Sequence, residues 1–438
     1  MSGSPEGAQS LRAAPGVSAE ALLDSAYRKN TWRLVVILVI AYVVNYLDRN
    51  SIAFAGLTMN MALGLTARQF GLAAGLSVAS YSLLEVPSNL FMQRVGARLW
   101  LSRIMITWGI AAGAGALVIG PYSLSLSRLV LGAAEAGFFP GVLMYLSTWF
   151  PSRYRTRVFA WFLLGIPLSS VVGGPAAGLL LGMNGYLHLA GWQWIYIAEG
   201  APAIVLGVLT YVLLVDDPRE AKWLTPDERH ALLDALANER RSGVHHDFSA
   251  AMKDARVLIL TVIQFGFTLG TYGIGIWLPL ILKQHHLTNL RIGLLSVPPY
   301  LAACIAMLLW ARSADRNEKQ IFHLTLSCAL AAAGLIGSAL SPALVPRLAG
   351  LTIALIGATS ARAIFWAIPP RFLVGTAAAG GLAFINSVGT LGGFFGPFLM
   401  GWLKDLTGSF DSGLALMGLI ILISAAFSAV LPTFERDG

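Results

Sequence analysis

The chain has 438 residues, of which 56% are hydrophobic and only 12% charged, where a soluble domain carries about 25% charged residues. This composition excludes an ordinary soluble globule and reads as an integral membrane protein. The net charge of +8 invites a nucleic-acid reading, but the way the charge is spread along the chain argues for membrane topology instead.

Residues 1–32 have no apolar core and contain Arg12, Arg28 and Lys29, so they read as a short cytosolic tail and not as a cleavable signal peptide. Apolar runs of about 18–25 residues then recur, each long enough to cross roughly 30 Å of hydrocarbon. Twelve are expected, at 33–55, 69–91, 99–119, 122–146, 157–182, 193–215, 257–282, 291–311, 321–341, 346–367, 376–402 and 412–432. The first six make an N-terminal bundle over 33–215. A polar cytosolic linker occupies 216–256, a second bundle 257–432, and a cytosolic tail 433–438. The expected fold is therefore all-α, with two six-helix bundles spanning a membrane. Within the linker, Thr225-Pro226-Asp-Glu228 predicts a helix start, with Thr225 as N-cap, Pro226 in the first turn and Glu228 at capping-box spacing.

With the N-terminus placed in the cytosol, 22 Lys/Arg fall in cytosolic segments and 5 in outer loops, and three of the 30 lie inside helices. That asymmetry sets both termini inside. The halves echo each other: Gly173, Gly174 and Gly182 recur as Gly392, Gly393 and Gly401 at a constant offset of 219. Repeated bundles of this kind bind substrate between the halves and expose it to each side in turn. Cys304 and Cys328 fall within spans and read as packing residues, with no disulfide framework.

Five charges lie inside spans: Asp48 and Arg49 in the first, Arg128 and Glu135 in the fourth, and Arg362 in the tenth. A charge at bilayer depth costs from ~2.5 to more than ~10 kcal/mol, so such residues line a cavity or pair with one another. Asp48 lies ~24 Å into its helix from the cytosol and Arg128 ~9 Å into its own from outside, similar depths that would let the two pair. Glu135, seven residues on from Arg128, shares its face about two turns deeper. Asp48 and Arg49 point ~100° apart, so one can face a neighbouring helix while the other faces the cavity. An acid that loses its arginine to an arriving anion binds protons more readily, a direct route to coupling. The alternatives are a static Asp48–Arg128 ion pair and a permanently protonated packing role for Glu135. Glu85 and Glu199 read as structural, because neither has a cationic neighbour evident in the sequence. Arg362 lies four residues before Trp366, hence on one face with it. It either faces the cavity, where it suits a second carboxylate, or snorkels towards the cytosol. Tyr272, Trp277 and Tyr300 could line the cavity. No Gly-x4-Gly-Lys-Ser/Thr loop is present, which argues against ATP as the energy source. No zinc or nucleophile motif is present either.

The loops Arg312-Ser-Ala-Asp315-Arg316-Asn-Glu-Lys319 and Gln93-Arg94-Val-Gly96-Ala-Arg98 resemble the signature of the major facilitator superfamily. The resemblance implies a gating role for Arg94, Asp315 and Arg316, which would hold one conformer closed. Gln93 stands where the first loop usually has an acid. A sharper resemblance is to the anion:cation symporter family, including the 4-hydroxyphenylacetate, phthalate, tartrate and galactonate permeases. It rests on Asn45-Tyr-Leu-Asp48-Arg49, Glu85-Val-Pro-Ser-Asn89, the run from Arg128 through Glu135-Ala-Gly-Phe-Phe-Pro140, Gly191-Trp-Gln-Trp194, Phe365-Trp366, Asn386-Ser-Val-Gly and Gly401 to Phe410. It covers about residues 30–432.

The family implies proton-driven uptake of a small organic anion, such as a hydroxy acid, a sugar acid or an aromatic carboxylate. Asp48 and Glu135 would carry protons, and Arg49 and Arg128 would serve the anion and the charge balance. Tyr46 and Tyr81 would line that site, with Trp366 and Asn386 acting from the second half. The 4-hydroxyphenylacetate permeases carry an uncharged residue where Arg362 stands. The expectation is a monomeric bacterial inner-membrane symporter, with the lipid bilayer and an organic anion as partners, no nucleic acid, no metal and no cofactor beyond the proton as coupling ion. An anion exchanger on the same fold, or a membrane-embedded enzyme or receptor, are the rival readings.

Overall fold

A computed structural model describes residues 18–239, 255–316, 319–366, 368–369 and 376–431. A short helix, α1 (Ala19–Asn30), runs through one π turn into α2 (Val36–Ala62). The rest of the first half is α3 (Ala67–Val95), α4 (Ala97–Ala114), α5 (Pro121–Glu135) with α6 (Phe138–Trp149), α7 (Ser152–Leu163) with α8 (Gly165–Leu181), and α9 (Gly191–Leu213). The linker helix is α10 (Pro226–Glu239). The second half is α11 (Ala255–Lys283), α12 (Asn289–Arg316), α13 (Gln320–Ala339), α14 (Leu344–Phe365), α15 (Thr376–Thr390) with α16 (Gly392–Thr407), and α17 (Asp411–Val430). Each of the twelve expected spans is occupied by one helix or by an end-to-end pair. Among the described residues, 10 spans are long and apolar enough to cross a membrane. The other two are α4, which carries Arg98 and Arg103, and the α15–α16 pair, interrupted at Leu391.

The fourth span, expected as one helix, breaks after Glu135. Pro140 has no N–H to give to the carbonyl of Ala136, four residues earlier. The Ser88 hydroxyl of α3 donates to that carbonyl instead, at 2.6 Å. Gly137 turns the chain in the left-handed region, with φ of 88°, and a Cβ there would lie 2.5 Å from the Ser88 hydroxyl. A side chain from a neighbouring helix thus satisfies the freed backbone group, as a span in hydrocarbon requires.

We call the end of the molecule that carries α1 and α10 the linker face and the opposite end the far face. At the linker face Thr225 and Glu228 form the expected capping box, with the Thr225 N–H donating to Glu228 at 2.9 Å. Glu228 also accepts from the Lys29 ammonium at 2.9 Å and the Ser25 hydroxyl at 2.7 Å. The indole N–H of Trp223 donates to Asn30, and its ring stacks on Trp149. Residues 19–30, expected to be part of a plain tail, therefore form a helix docked on the linker. Residues 1–17, 240–254 and 432–438 lie outside the described residues.

The two halves meet towards the far face, along α3 with α16 and α8 with α12. Both contacts are backbone against backbone. A Cβ added to Gly174 would lie 2.5 Å from the Gly293 carbonyl oxygen, and one on Gly293 would lie 2.2 Å from that of Gly174. Small residues let helices approach this closely. The contact is tied by Asp405 of α16. Its two oxygens accept the N–H groups of Ala67 and Arg68, at 3.0 and 2.8 Å, at the start of α3. A carboxylate is favourable there, because a helix N-terminus presents unpaired N–H groups and a positive dipole end.

Candidate functional site

Glu135 is the last residue of α5, placed at the break that Pro140 and Gly137 create. Its Oε2 accepts the Nε–H of Arg49 from α2 at 2.9 Å, with the two side chains 4% and 22% exposed. The guanidinium lies over the Tyr81 ring of α3, 4.5 Å from its centroid, and 5.6 Å from that of Tyr46. Such cation–π contacts strengthen when water is excluded. Tyr46 in turn packs edge-on against Tyr42. Arg49 also lies within electrostatic reach of Tyr272 on α11, in the second half.

Asp48 is fully buried, and both its carboxylate oxygens lack a hydrogen-bond partner. Arg128 is 2% exposed, with its Nε unpartnered. No ion pair joins the two among the described residues, contrary to the expected pairing. The reason is helix packing. α5 lies chiefly on α3 and α4, whereas α2 lies on α8 and α9. The ion pair that does form between α2 and α5 is that of Arg49 with Glu135. Asp48 still lies within electrostatic reach of Glu135, Arg128 and Arg49.

The two acids read as structural are placed differently from that expectation. Glu85 of α3 lies within reach of Arg49 and Tyr81. Glu199 of α9 lies within reach of Asp48 and Arg128, and its Oε2 is buried without a partner. The residues that carry this relationship are far apart in sequence, so no local signal reveals it.

In the second half, Arg362 occupies the last turn of α14 and is partly exposed. Its charge suits the negative end of the helix dipole. Trp366, 39% exposed, closes α14 and packs edge-on against Phe365. Asn386 of α15 accepts from Gln264 of α11 at 3.3 Å. Gln264 was not singled out in the sequence, although it is a lone amide in an apolar span. It is buried, with its own Oε1 unpartnered. Between the halves, a narrow pocket is lined by Asn50, Phe54, Ser169, Ser170, Ser296 and Tyr300, beside the Gly174–Gly293 contact. Trp277 is buried, its N–H donating to the Pro397 carbonyl, and serves packing between the halves. Arg94 and Arg316 stand exposed at the linker-face ends of α3 and α12; the Asp315 side chain lies outside the described residues. Where Gln93 leaves the first loop without its acid, Asp216 accepts the Arg98 N–H at 2.7 Å and lies against Gly96.

The model of the Major Facilitator Superfamily matches residues 38–397. The chain is 44% identical over 418 residues to a protein named as a tartrate transporter in Agrobacterium vitis, covering 95% of this chain and 93% of that protein. It is 40% identical to a quinolone resistance transporter of Acinetobacter baumannii, over 92% and 94% of the two chains. Its fold is similar to that of a bacterial homolog of the human lysosomal transporter Spinster, in an inward-facing and occupied conformation. That likeness has a TM-score of 0.75 at 16% identity and covers 93% of this chain and 97% of that one. The chain belongs to the major facilitator superfamily. It is a multi-pass membrane transporter and not an enzyme.

Proposed function

We propose that this transporter imports a small organic anion together with protons. The observation that carries the reading is the part-buried Arg49–Glu135 pair, with the Arg49 guanidinium against Tyr46 and Tyr81. It is an anion receptor held by a group that can accept a proton. An arriving carboxylate takes over the guanidinium through charge-assisted hydrogen bonds. Glu135, left without its cation in a buried site, then takes the proton that restores charge balance. Asp48 is the second proton carrier, and Arg128 balances its charge. Trp366 and Asn386, the latter held by Gln264, set specificity from the second half, and Arg362 receives a second carboxylate.

The linker face is read as cytosolic, from the excess of Lys/Arg on that side. The contact at the far face then makes this the inward-facing conformer, and rocking of the halves alternates access. Arg94, Asp315 and Arg316 would close the linker face in the opposite conformer. The relatives named as tartrate transporters favour a hydroxy dicarboxylate over an aromatic acid. The site would lie in a bacterial inner membrane, and the protein would act as a monomer with no cofactor other than the proton.

The test is uptake of radiolabelled L-tartrate by proteoliposomes with the outside made acidic. Accumulation above the equilibrium level that collapses with the gradient is expected. Equal uptake after the gradient is abolished favours anion exchange. No uptake of any mono- or dicarboxylate overturns the substrate class.

A further inference from the structure

The carbonyl to which Ser88 donates belongs to Ala136, the residue bonded to Glu135. Ala136 is 1% exposed and already out of the helix, with φ of −55° and ψ of 128°. A serine hydroxyl has one proton to give and can accept as well. Here the proton goes to Ala136 at 2.6 Å, and the oxygen accepts the indole N–H of Trp100, on α4, at 3.0 Å. The indole thereby fixes which way the hydroxyl points. The Trp100 ring is itself held, with Phe91 of α3 at 4.6 Å and the Arg103 guanidinium over it at 3.8 Å. Side chains of two helices thus converge on the single carbonyl that follows Glu135.

The other partner of the ion pair is held by α3 too. Tyr81, under the Arg49 guanidinium at 4.5 Å, lies seven residues before Ser88, two turns away on the same face. Gly132 of α5 sits so close to α3 that an added Cβ would run into the Ser77 carbonyl and the Ser80 hydroxyl. The end of α5 is therefore fixed to α3 at two points, Gly132 and Ala136, and Glu135 lies between them in the chain. Both partners of the 2.9 Å pair are placed by one stretch of α3, residues 77–88. Without the Ser88 hydroxyl the Ala136 carbonyl has no donor from its own span, because Pro140 brings none. A buried carbonyl left unpaired is costly, so the backbone at 136–137 must move to find another donor. Glu135 moves with it, and a charge-assisted hydrogen bond weakens steeply with misalignment.

We propose that Ser88, fixed by Trp100, is a positioning residue of the coupling pair: it sets Glu135 against Arg49 and acts on transport through Glu135. This rests on the reading that an arriving anion takes Arg49 from Glu135. A loosened pair competes less for the guanidinium. Substrate should then bind more tightly, while the exchange of partners that couples it to the proton is lost. A brace with a purely structural task would weaken binding and uptake alike.

A double-mutant cycle of Ser88→Ala with Glu135→Gln separates the two roles. Without any substrate, Ser88→Ala should lower the thermal-unfolding midpoint of the purified protein in lipid nanodiscs, and by clearly less when residue 135 is already Gln. In isothermal titration Ser88→Ala should bind L-tartrate about three- to tenfold more tightly than the parent. The double variant should bind like Glu135→Gln alone. Acid-driven accumulation of radiolabelled L-tartrate should fall in Ser88→Ala as it does in Glu135→Gln. Trp100→Phe, which removes the indole N–H and keeps an aromatic ring, should shift binding the same way by less. It serves if Ser88→Ala does not fold. Additive midpoints, unchanged or weaker binding by Ser88→Ala, or a further change in binding on top of Glu135→Gln overturns the proposal. A parent that does not respond to the gradient overturns proton coupling instead. One that binds no L-tartrate overturns the hydroxy-dicarboxylate reading, and the midpoints then decide the role of Ser88 by themselves.

Discussion

Arg49 reaches from α2 to Glu135, the last residue of α5, although α2 and α5 pack chiefly on other helices. The pair is thus a bridge between separately supported elements and not a staple between packed neighbours. Either end can be released without parting a helix interface.

Glu135→Gln should keep substrate counterflow, which needs no net proton movement, and lose gradient-driven uptake. Arg49→Ala should lose both. A hydrogen bond to a charged group contributes about 1.5–3 kcal/mol, so substrate binding to Arg49→Ala should weaken by roughly tenfold to a hundredfold. Uphill transport by Glu135→Gln at the parent's level would make that acid structural. The paired measurements are counterflow and acid-driven uptake in the same vesicles.

Arg362 tests substrate valence. If it receives a second carboxylate, Arg362→Met should weaken dicarboxylate binding by about tenfold to a hundredfold and leave monocarboxylates nearly unchanged. Isothermal titration with matched mono- and dicarboxylates decides. Parent-like affinity for both classes places the guanidinium at the linker face, where it serves only the end of α14.

Asp405→Ala should open the far face. The variant loses two hydrogen bonds to the start of α3. Because Asp405 is exposed, the lower end of the usual range applies, about tenfold in the ratio of conformers. Spin labels at Met61 and Leu340, both exposed near the far face and in different halves, should report longer distances. Unchanged distances would show that the glycine contacts alone hold the closure.

Gly293→Val should prevent that closure altogether. Its Cβ would meet the Gly174 carbonyl oxygen at 2.2 Å, and backbone cannot swing aside as a side chain can. The same labels should separate fully, and transport should fall to background. Each bundle should remain folded by circular dichroism, since the substitution lies between halves and not within a core.

The dock between α1 and α10 should depend on acid pH. Burial alone would raise the Glu228 carboxyl, but the Lys29 ammonium, the Ser25 hydroxyl and the Thr225 N–H together hold it below its ordinary value. The stabilisation is therefore fully present above the ordinary glutamate range, about 4.3, and is lost as pH falls through the lowered folded value. Hydrogen exchange of residues 19–30 and 226–239 should be slow at neutral pH and rise only in strong acid. In Glu228→Gln it should be fast at neutral pH already.

Much of this arrangement could be read in the chain. A span of about 20 apolar residues has one solution in hydrocarbon, so the helices and their division by the linker follow from composition. Asp48, Arg49, Arg128 and Glu135 stood out because charges in such spans need a reason. Their partners did not. Whether Arg128 or Arg49 meets an acid depends on which helices are neighbours, and hydropathy does not encode neighbours. Glu199 reads as structural and Gln264 gives no signal for the same reason, since their surroundings are set by Asp48 and Asn386 on other helices. The break at Glu135 was partly announced by Pro140, but Ser88, which makes it tolerable, lies on another helix.

The clasp at the linker face also orders events during synthesis. Ser25 and Lys29 leave the ribosome early, yet Glu228 follows 203 and 199 residues later. Through that interval α1 has no partner in α10, while the six spans of the first half enter the membrane one after another. Docking can occur only after α9 has been placed and the linker has emerged. The clasp can thus close only once the first bundle is complete.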